Sequence, residues 1–189
     1  AGVVTRRREV TPEGHERMWA TNFLGHFVLT ILLLPALRRG TDPRVVNVTS
    51  VAQTRGRIHW DDVELTHGFH PLTAYAQSKL AQVLFTRELA RREPGIATTA
   101  VHPGGIYTGI YRALPRPVLW YLRLRLGTPA QGAAPVVRLA TAPELTGVSG
   151  RYFDRWKEVE PGRAARDPAD ARRLWELAER SANVGSGAG

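Results

Sequence analysis

The chain has 189 residues, of which 43% are hydrophobic and 23% charged, a composition typical of one globular domain with a sizeable core. It contains no cysteine, which excludes disulfide frameworks, thiolate zinc sites and cysteine nucleophiles. The formal net charge of +9 raises the question of nucleic-acid binding, but the arginines are scattered, so we expect no nucleic-acid partner. Attraction of an anionic phosphate cofactor is another use of this charge.

The N-terminal part of the sequence predicts a long helix followed by a strand. Thr11-Pro12-Glu13 has the features of a helix start: an N-cap threonine, a proline in the first turn and an acid beside it. Apolar residues then recur at helical spacing, and Gly40 is expected to end the helix at about Arg39. The β-branched run that follows predicts a strand over residues 44–49.

The middle of the sequence predicts an irregular connection, a second long helix and a second strand. Residues 51–72 lack a periodic pattern. A helix is predicted over residues 74–92, where Glu93-Pro94-Gly95 stops it. The next strand covers residues 96–101 and leads into a Pro-Gly-Gly turn.

The C-terminal part predicts a flap, two helices and a short strand. Residues 106–128 are interrupted by prolines and contain apolar and basic side chains, which indicates a mobile flap. Helices are predicted over residues 129–140 and 167–180, with a strand over residues 150–154 between them. Residues 183–189 are predicted to form a flexible tail.

The alternation of helices and strands predicts an α/β fold with a parallel sheet and helices on its faces. The most apolar stretch, residues 27–37, is shorter than the ~20 residues of a membrane-spanning helix, so we expect no stable membrane insertion. The first residues do not have the layout of a secretory signal peptide, and the lack of cysteine is compatible with a reducing compartment. We therefore expect a cytoplasmic protein.

Tyr75 and Lys79 stand four residues apart in the second helix, so their side chains share one face. A tyrosine hydroxyl titrates near ~10, and a nearby ammonium favours its phenolate, which suits acid/base chemistry near neutral pH. Ser50 follows a parallel strand, at the sheet edge where open α/β folds bind ligands. Each feature alone is commonly structural, as an exposed helix pair or a capping serine, but their joint placement favours catalysis.

Further motifs occur in a fixed order along the chain. They are Ala1-Gly2, residues 21–27 (Thr-Asn-Phe-Leu-Gly-His-Phe), 46–50 (Val-Asn-Val-Thr-Ser), 74–81 (Ala-Tyr-Ala-Gln-Ser-Lys-Leu-Ala), 102–108 (His-Pro-Gly-Gly-Ile-Tyr-Thr), 147–153 (Gly-Val-Ser-Gly-Arg-Tyr-Phe) and 174–176 (Leu-Trp-Glu). As a set they resemble the short-chain dehydrogenase/reductase family, and within it the retinol-dehydrogenase-like branch. The resemblance implies the C-terminal part of a Rossmann-type doubly wound parallel sheet with flanking helices.

The resemblance also implies an oxidoreductase that transfers hydride between a nicotinamide cofactor and an alcohol or carbonyl substrate. Tyr75 would donate a proton in ketone reduction and accept one in alcohol oxidation, and Lys79 would lower the Tyr75 pKa and bind the nicotinamide ribose. Ser50 would position the substrate oxygen, and Asn22 would hold a proton-relay water. The residues expected to contact NADP(H) or NAD(H) are Ala1, Gly2, Asn22, Tyr75, Lys79, Pro103, Gly104, Ile106 and Thr108.

The family's glycine-rich phosphate loop, Thr-Gly-x-x-x-Gly-x-Gly, has no counterpart in this sequence. Pyrophosphate binding at a helix N-terminus depends on that loop. We therefore expect residues 1–182 to form an N-terminally truncated Rossmann-type domain that contacts only the nicotinamide end of the cofactor. Its exposed sheet edge would invite aggregation or pairing with another chain, so poor solubility is expected.

Two weaker groupings of titratable residues are interpreted as structural. His67 and His70 lie three residues apart without a nearby third ligand, so no metal site is expected. Asp61, Asp62 and Glu64 could suggest the paired carboxylates of a hydrolase, but an acidic turn is the better interpretation.

The apolar flap suggests a bulky lipophilic alcohol, aldehyde or ketone as substrate. Two alternatives to the oxidoreductase remain at this stage. One is a non-catalytic remnant that binds a partner protein through its exposed sheet edge, and the other is a basic nucleic-acid-binding module. Pairing of two copies through the two long helices, near residues 16–38 and 75–92, would follow from the family resemblance.

Overall fold

A four-stranded sheet lies at the centre of the computed structural model, which describes residues 2–107, 116, 120 and 125–182. Its strands are β1 (Arg44–Val48), β2 (Ala97–His102), β3 (Arg151–Asp154) and β4 (Lys157–Glu158), in that spatial order. The first three run parallel, and β4 pairs antiparallel with β3. The predicted α/β class is confirmed, and the three predicted strands lie within one residue of their expected bounds. Strand β4 has no counterpart among the predicted elements.

A long helical segment occupies the N-terminal part of the chain, as predicted. It consists of α1 (Arg17–Trp19), one π-helical turn (Ala20–Leu24) and α2 (Gly25–Leu37). The chain then turns through Gly40, whose N–H donates to the Leu37 carbonyl at 2.9 Å. The expected end of this helix near Gly40 is therefore confirmed.

The prediction that Thr11 caps this helix is wrong. The N-cap is Glu16, whose carboxylate accepts hydrogen bonds from the N–H groups of Met18 at 2.9 Å and Trp19 at 2.8 Å. The preceding residues form a tight turn, because Gly14 has a φ of +92° that reverses the chain before a helix can begin. Both Thr11 and Glu16 could cap a helix, but the turn at Gly14 prevents the helix from starting at Thr11, so Glu16 is the cap.

The remaining helices match the predicted ones within three residues: α3 (Pro71–Arg92), α4 (Pro129–Thr141) and α5 (Pro168–Ser181). Pro71 extends α3 toward its N-terminus, because a missing N–H costs no hydrogen bond in the first turn. Thr128 and Gln131 form a capping box at α4, and Asp167 caps α5.

Five aromatic side chains bind the N-terminal helical segment to α3 and α5. They are Trp19, Phe23, Phe27, Phe85 and Trp175, all within the main core cluster. The Phe27 ring centroid lies 5.4 Å from that of Phe85 and 5.1 Å from that of Trp175. Since the first three recur every four residues, they form one helical stripe that packs against both other helices.

The segment Arg17–Leu37 is, by length and composition, long and apolar enough to cross a membrane. This segment has 21 residues, whereas the expectation of no membrane insertion is based on the shorter apolar stretch of residues 27–37. A core helix of a soluble protein passes the same test, and here the aromatic stripe is buried in the core. The opposite face exposes Leu29, Leu32 and Leu33. The absence of membrane insertion therefore stays a prediction.

Strand β1 forms an edge of the described sheet, since β2 is its only strand partner among the residues in the structure. An unpaired edge presents backbone N–H and C=O groups to which another strand can add. This arrangement agrees with the expected exposed edge. Poor solubility and the domain boundary at residue 182 stay predictions.

Two predicted segments fall largely beyond the described residues. Of the predicted flap, residues 106–128, only 106, 107, 116, 120 and 125–128 are described, and the predicted tail, residues 183–189, lies outside entirely.

Gly56 allows the connection after β1 to pack directly against α3. A Cβ at this position would lie 2.6 Å from the Ala76 carbonyl oxygen and 2.8 Å from the Leu80 Cβ. Distances this short do not occur for real Cβ atoms, so only glycine fits without a shift of the helix or the connection. The close approach thus depends on this one residue.

We expect Gly56→Ala to lower the free energy of unfolding by about 1–3 kcal/mol, because the added methyl group overpacks a backbone contact. Chemical denaturation measures this change. Gly95→Ala is the matched control, since nothing lies within 4 Å of its Cβ position, and its effect should stay below about 0.5 kcal/mol. Equal effects of the two substitutions would contradict the packing argument.

Candidate active site

Lys79 belongs to α3, and its side chain extends toward the carboxyl end of β1. The residue is only 5% exposed. Its Nζ donates hydrogen bonds to the Val48 carbonyl at 3.1 Å and to the Gln82 Oε1 at 3.0 Å. The Thr49 hydroxyl donates to the Lys79 backbone carbonyl at 2.8 Å, which fixes the helix to the end of the strand. The ammonium is therefore anchored at the sheet edge, and these two contacts use two of its three N–H donors.

Burial lowers the pKa of Lys79 from 10.5 to about 8. The cause is the loss of hydration around the ammonium, which disfavours its charged form. At neutral pH the group is still mostly charged, yet its proton is held much less tightly than that of an exposed lysine. Such a lysine can both stabilise a neighbouring anion and exchange a proton.

Tyr75 lies one helical turn before Lys79, and the Lys79 Nζ is 5.7 Å from the centroid of the Tyr75 ring. The half-buried ring packs against a small cluster that includes Met18 and Leu65. The spacing of the two residues predicts a shared face, and the structure places both side chains on it. A positive charge this close to the ring favours the phenolate form of the tyrosine.

Asn22 is fully buried in the π-helical turn, a feature that often occurs at functional sites. Its Nδ2 donates to the Val3 carbonyl at 3.0 Å and to the Ser78 hydroxyl at 3.1 Å, while its Oδ1 accepts from the Val3 N–H at 2.8 Å. A Cβ on Gly2 would lie 3.7 Å from the Asn22 Oδ1 and 3.8 Å from the Lys79 Nζ. Both side-chain N–H donors are thus engaged, so a water at Asn22 would have to bond to an oxygen atom.

Ser50 follows β1 and caps the 3-10 turn Val51–Arg55, where its Oγ accepts a hydrogen bond from the Ala52 N–H at 3.2 Å. The hydroxyl therefore has a structural role and still carries a proton that it can donate. The turn and the start of α3 enclose a groove of about 690 Å³, which Val51 and Tyr75 both line. The structure thus places Ser50 beside the groove into which Tyr75 faces.

Pro103, Gly104 and Ile106 follow β2 at the same edge of the sheet. Gly104 has a φ of +97°, which favours glycine. Ile106 forms an isolated bridge with Gly127, and a Cβ on Gly132 would lie 2.6 Å from the Ile106 Cγ1. The Ile106 side chain is therefore taken up by packing on α4, which leaves the backbone as its contact for a ligand.

The polar groups at this edge fit the nicotinamide end of a dinucleotide. Lys79 has a further N–H donor, and Gly2 keeps the space beside it narrow but open. The buried His102 Nδ1 has no hydrogen-bond partner within the described ranges, and burial lowers the pKa of this histidine. Ala1 and Thr108, also predicted to contact the cofactor, lie outside the described residues.

The acidic connection before α3 has structural roles. Asp62 accepts hydrogen bonds from the N–H groups of Thr66 at 2.9 Å and His67 at 3.0 Å, and such bonds lower its pKa to about 2. Glu64 accepts from the Glu16 N–H at 2.5 Å. These contacts support the interpretation as an acidic turn. Among the described residues, no group of three or more His, Cys, Asp or Glu could hold a metal ion.

Comparison with known proteins decides the family. The sequence profile of the short chain dehydrogenase family matches residues 1–117, which is more than half of the chain. The chain belongs to the short-chain dehydrogenase family. The matched range includes β1, Ser50 and the helix α3 with Tyr75 and Lys79.

Relatives of this short-chain dehydrogenase confirm the retinol-dehydrogenase-like branch. Human retinol dehydrogenase 13 is 40% identical over 189 residues, which cover 93% of this chain and 56% of that protein. Mouse polyprenol dehydrogenase is 40% identical over 203 residues, which cover 99% of this chain and 59% of that protein. The chain therefore spans little more than half the length of these relatives.

Solved structures show the same Rossmann-type fold. The crystal structure of an uncharacterized protein from Mycobacterium paratuberculosis has a TM-score of 0.73 at 31% identity, over 97% of this chain and 65% of that chain. An NAD(P) dependent gluconate 5-dehydrogenase from Beutenbergia cavernae, solved with bound NADP at low occupancy, has a TM-score of 0.61 at 24% identity, over 82% of this chain and 63% of that chain. At this identity the second structure shows the fold alone.

Sequence reasoning missed several groups in this short-chain dehydrogenase site. The Val48 carbonyl and Gln82 hold the Lys79 ammonium, and Gly56 sets the position of the groove. Gln82 follows Lys79 by three residues, so its place on the same helix face was a usable signal. A backbone carbonyl and a tight glycine contact leave no such pattern in a sequence.

The lowered pKa of Lys79 predicts a pH-dependent stability. Between pH about 8 and 10.5 the unfolded chain binds the Lys79 proton more tightly than the folded chain does. The free energy of unfolding should therefore rise with pH across this window, relative to a Lys79→Met variant, because the penalty for burying the charge disappears.

Chemical denaturation at a series of pH values measures this difference. Lys157→Met is the matched control, because it removes an exposed lysine from β4. Its stability curve should run parallel to that of the unaltered protein. If the Lys79→Met curve does the same, the buried ammonium has been assigned wrongly.

Proposed function

We propose that this chain carries the catalytic part of an NAD(P)-dependent oxidoreductase that interconverts an alcohol and a carbonyl compound. The observation that carries the proposal is the position of the Lys79 Nζ, 5.7 Å from the Tyr75 ring centroid and bonded to the last residue of β1. Membership of the family and relatives named as dehydrogenases support it.

Tyr75 is the proposed acid/base. Its hydroxyl protonates the substrate oxygen in carbonyl reduction and removes that proton in alcohol oxidation. The Lys79 ammonium lowers the cost of the phenolate form, and it acts strongly because it is buried among fixed dipoles instead of water.

Ser50 and Asn22 complete the proposed site. The Ser50 hydroxyl donates a hydrogen bond to the substrate oxygen and so holds it near Tyr75. Asn22 holds Val3 and Ser78 in place through three hydrogen bonds, which fixes the wall beside the Lys79 ammonium. A relay water between Asn22 and Lys79 would return protons from solvent to Tyr75.

The nicotinamide cofactor, NADP(H) or NAD(H), would supply or accept the hydride when bound. Lys79 would bind its ribose hydroxyls with the remaining N–H donor, next to Gly2 and Asn22. The segment with Pro103, Gly104 and Ile106 would contact the nicotinamide, and the proposal extends to Ala1 and Thr108.

A lipophilic alcohol or aldehyde is the proposed substrate class. The names of the relatives, retinol dehydrogenase and polyprenol dehydrogenase, support it. The groove beside Tyr75 adds structural support, because Val51, Leu72 and Ala76 give it apolar walls. The idea of a non-catalytic interaction module is not favoured by these relatives. A cytoplasmic location and pairing through the two long helices complete the proposal.

We expect Tyr75→Phe to lower kcat by about 10²–10⁴-fold, since it removes the acid/base hydroxyl alone. The test follows NADPH oxidation with decanal, and titration calorimetry with NADPH separates a loss of turnover from a loss of cofactor binding. Tyr152→Phe is the matched control, because this tyrosine on β3 belongs to the core and does not line the groove. Full turnover by Tyr75→Phe, or no turnover by the folded unaltered chain, would refute the proposal.

A further inference from the structure

The groove beside Tyr75 has a cationic wall. Arg55, Arg57 and His59 line it together with apolar side chains, and its lining among the described residues includes no aspartate or glutamate. A groove for an uncharged lipophilic molecule has no need of two guanidinium groups. The positive charge of Arg55 and Arg57 therefore suggests that the groove binds a negatively charged group.

The backbone that carries the two arginines is fixed. Gly56, between them, is extended, with φ −69° and ψ 149°, and packs against α3 as described above. Arg55 ends the 3-10 turn, Arg57 follows Gly56, and both side chains line the groove. The His59 N–H donates to the Gln77 Oε1 at 2.8 Å, which anchors the following residues to α3 as well.

The two arginines have no ion pair or hydrogen bond with any described residue, although both are exposed. Other arginines do have such partners: Arg38 pairs with Glu93, and Arg44 with Asp42. Of the acids that follow in sequence, Asp62 bonds to Thr66 and His67, and Glu64 bonds to Glu16. The exposed Asp61 forms no ion pair with either arginine. The two guanidinium groups are thus available to bind an anionic ligand in the groove.

We propose that Arg55 and Arg57 bind an anionic group of the substrate. The substrate is then an amphipathic alcohol or aldehyde whose apolar chain lies on Val51 and Leu72 and whose carboxylate or phosphate lies remote from the reacting carbon. Guanidinium groups suit both anions, because their planar N–H forks match the oxygen pairs. This inference rests on the proposed function, since it assigns Tyr75 to the reacting end.

The test compares aldehydes of one chain length: decanal, ω-oxodecanoic acid, its methyl ester, and the corresponding ω-phosphonate. We expect kcat/KM for the acid or the phosphonate to exceed that for the ester by about tenfold or more, through charge-assisted hydrogen bonds. Which of the two anions is preferred identifies the headgroup. Arg55→Gln and Arg57→Gln should each reduce the ratio of kcat/KM for the acid to kcat/KM for the ester.

Arg39→Gln is the control, because it removes the same charge from an exposed position outside the groove and should keep the preference. If the acid and the ester react equally, or if Arg39→Gln has the same effect as Arg55→Gln, the inference fails while the oxidoreductase proposal stands. If no aldehyde reacts, the oxidoreductase proposal fails.

Calorimetry then decides the inference independently of turnover. Decanoate should bind the unaltered chain about tenfold more tightly than decanol, and the Arg55→Gln/Arg57→Gln double variant should bind the two equally. Equal binding of decanoate and decanol by the unaltered chain would overturn the anion site.

Discussion

The buried ammonium of Lys79 is the constraint on which the arrangement of the site depends. A charge in the interior is tolerated only where polar groups replace its hydration shell. The Val48 carbonyl and the Gln82 side chain do this, one from the sheet and one from the helix. A shift of α3 by one turn, or of β1 by one residue, would break the contact with the Val48 carbonyl and leave the buried ammonium with Gln82 alone. The same contacts therefore determine where Tyr75 stands.

The buried face of α3 extends this control along the helix. The Asn47 Nδ2 donates to the Thr86 hydroxyl at 2.9 Å, and that hydroxyl donates to the Gln82 carbonyl at 2.8 Å. Leucines at these places would fill the space as well but would accept many relative positions of helix and strand. Directional hydrogen bonds allow few relative positions of helix and strand, because a displaced partner leaves a buried polar group unsatisfied. The register between α3 and β1 is thus specified by polar residues inside an otherwise apolar layer.

How much the sequence reveals depends on whether the deciding interaction is local. The end of β1, the C-terminal end of α3 and the shared face of Tyr75 and Lys79 follow from periodicity and stop signals, so they could be predicted to within one residue. The start of the N-terminal helix could not, because Thr11 and Glu16 both fit a cap, and a reversal at Gly14 selects the second. Strand β4 is only two residues long, and it exists through pairing with β3. The contact of the Lys79 ammonium with the Val48 carbonyl likewise joins residues about thirty positions apart, beyond the reach of local patterns.

The sequence shows an excess of positive charge, but only the folded chain shows which arginines come together. With 26 basic and 17 acidic residues, pairing cannot neutralise every arginine, so the fold decides which ones remain without a partner. Residues on either side of Gly56 are held close to α3 by the absence of a side chain there. Tyr75 belongs to the same helix, one residue before the Ala76 carbonyl that Gly56 approaches. One close contact therefore sets both the position of the proposed acid/base and that of the two guanidinium groups. The contact between Gly56 and α3 therefore fixes the distance between Tyr75 and the two arginines. This distance would set the length of a substrate whose reacting carbon lies at Tyr75 and whose anionic end lies at the arginines.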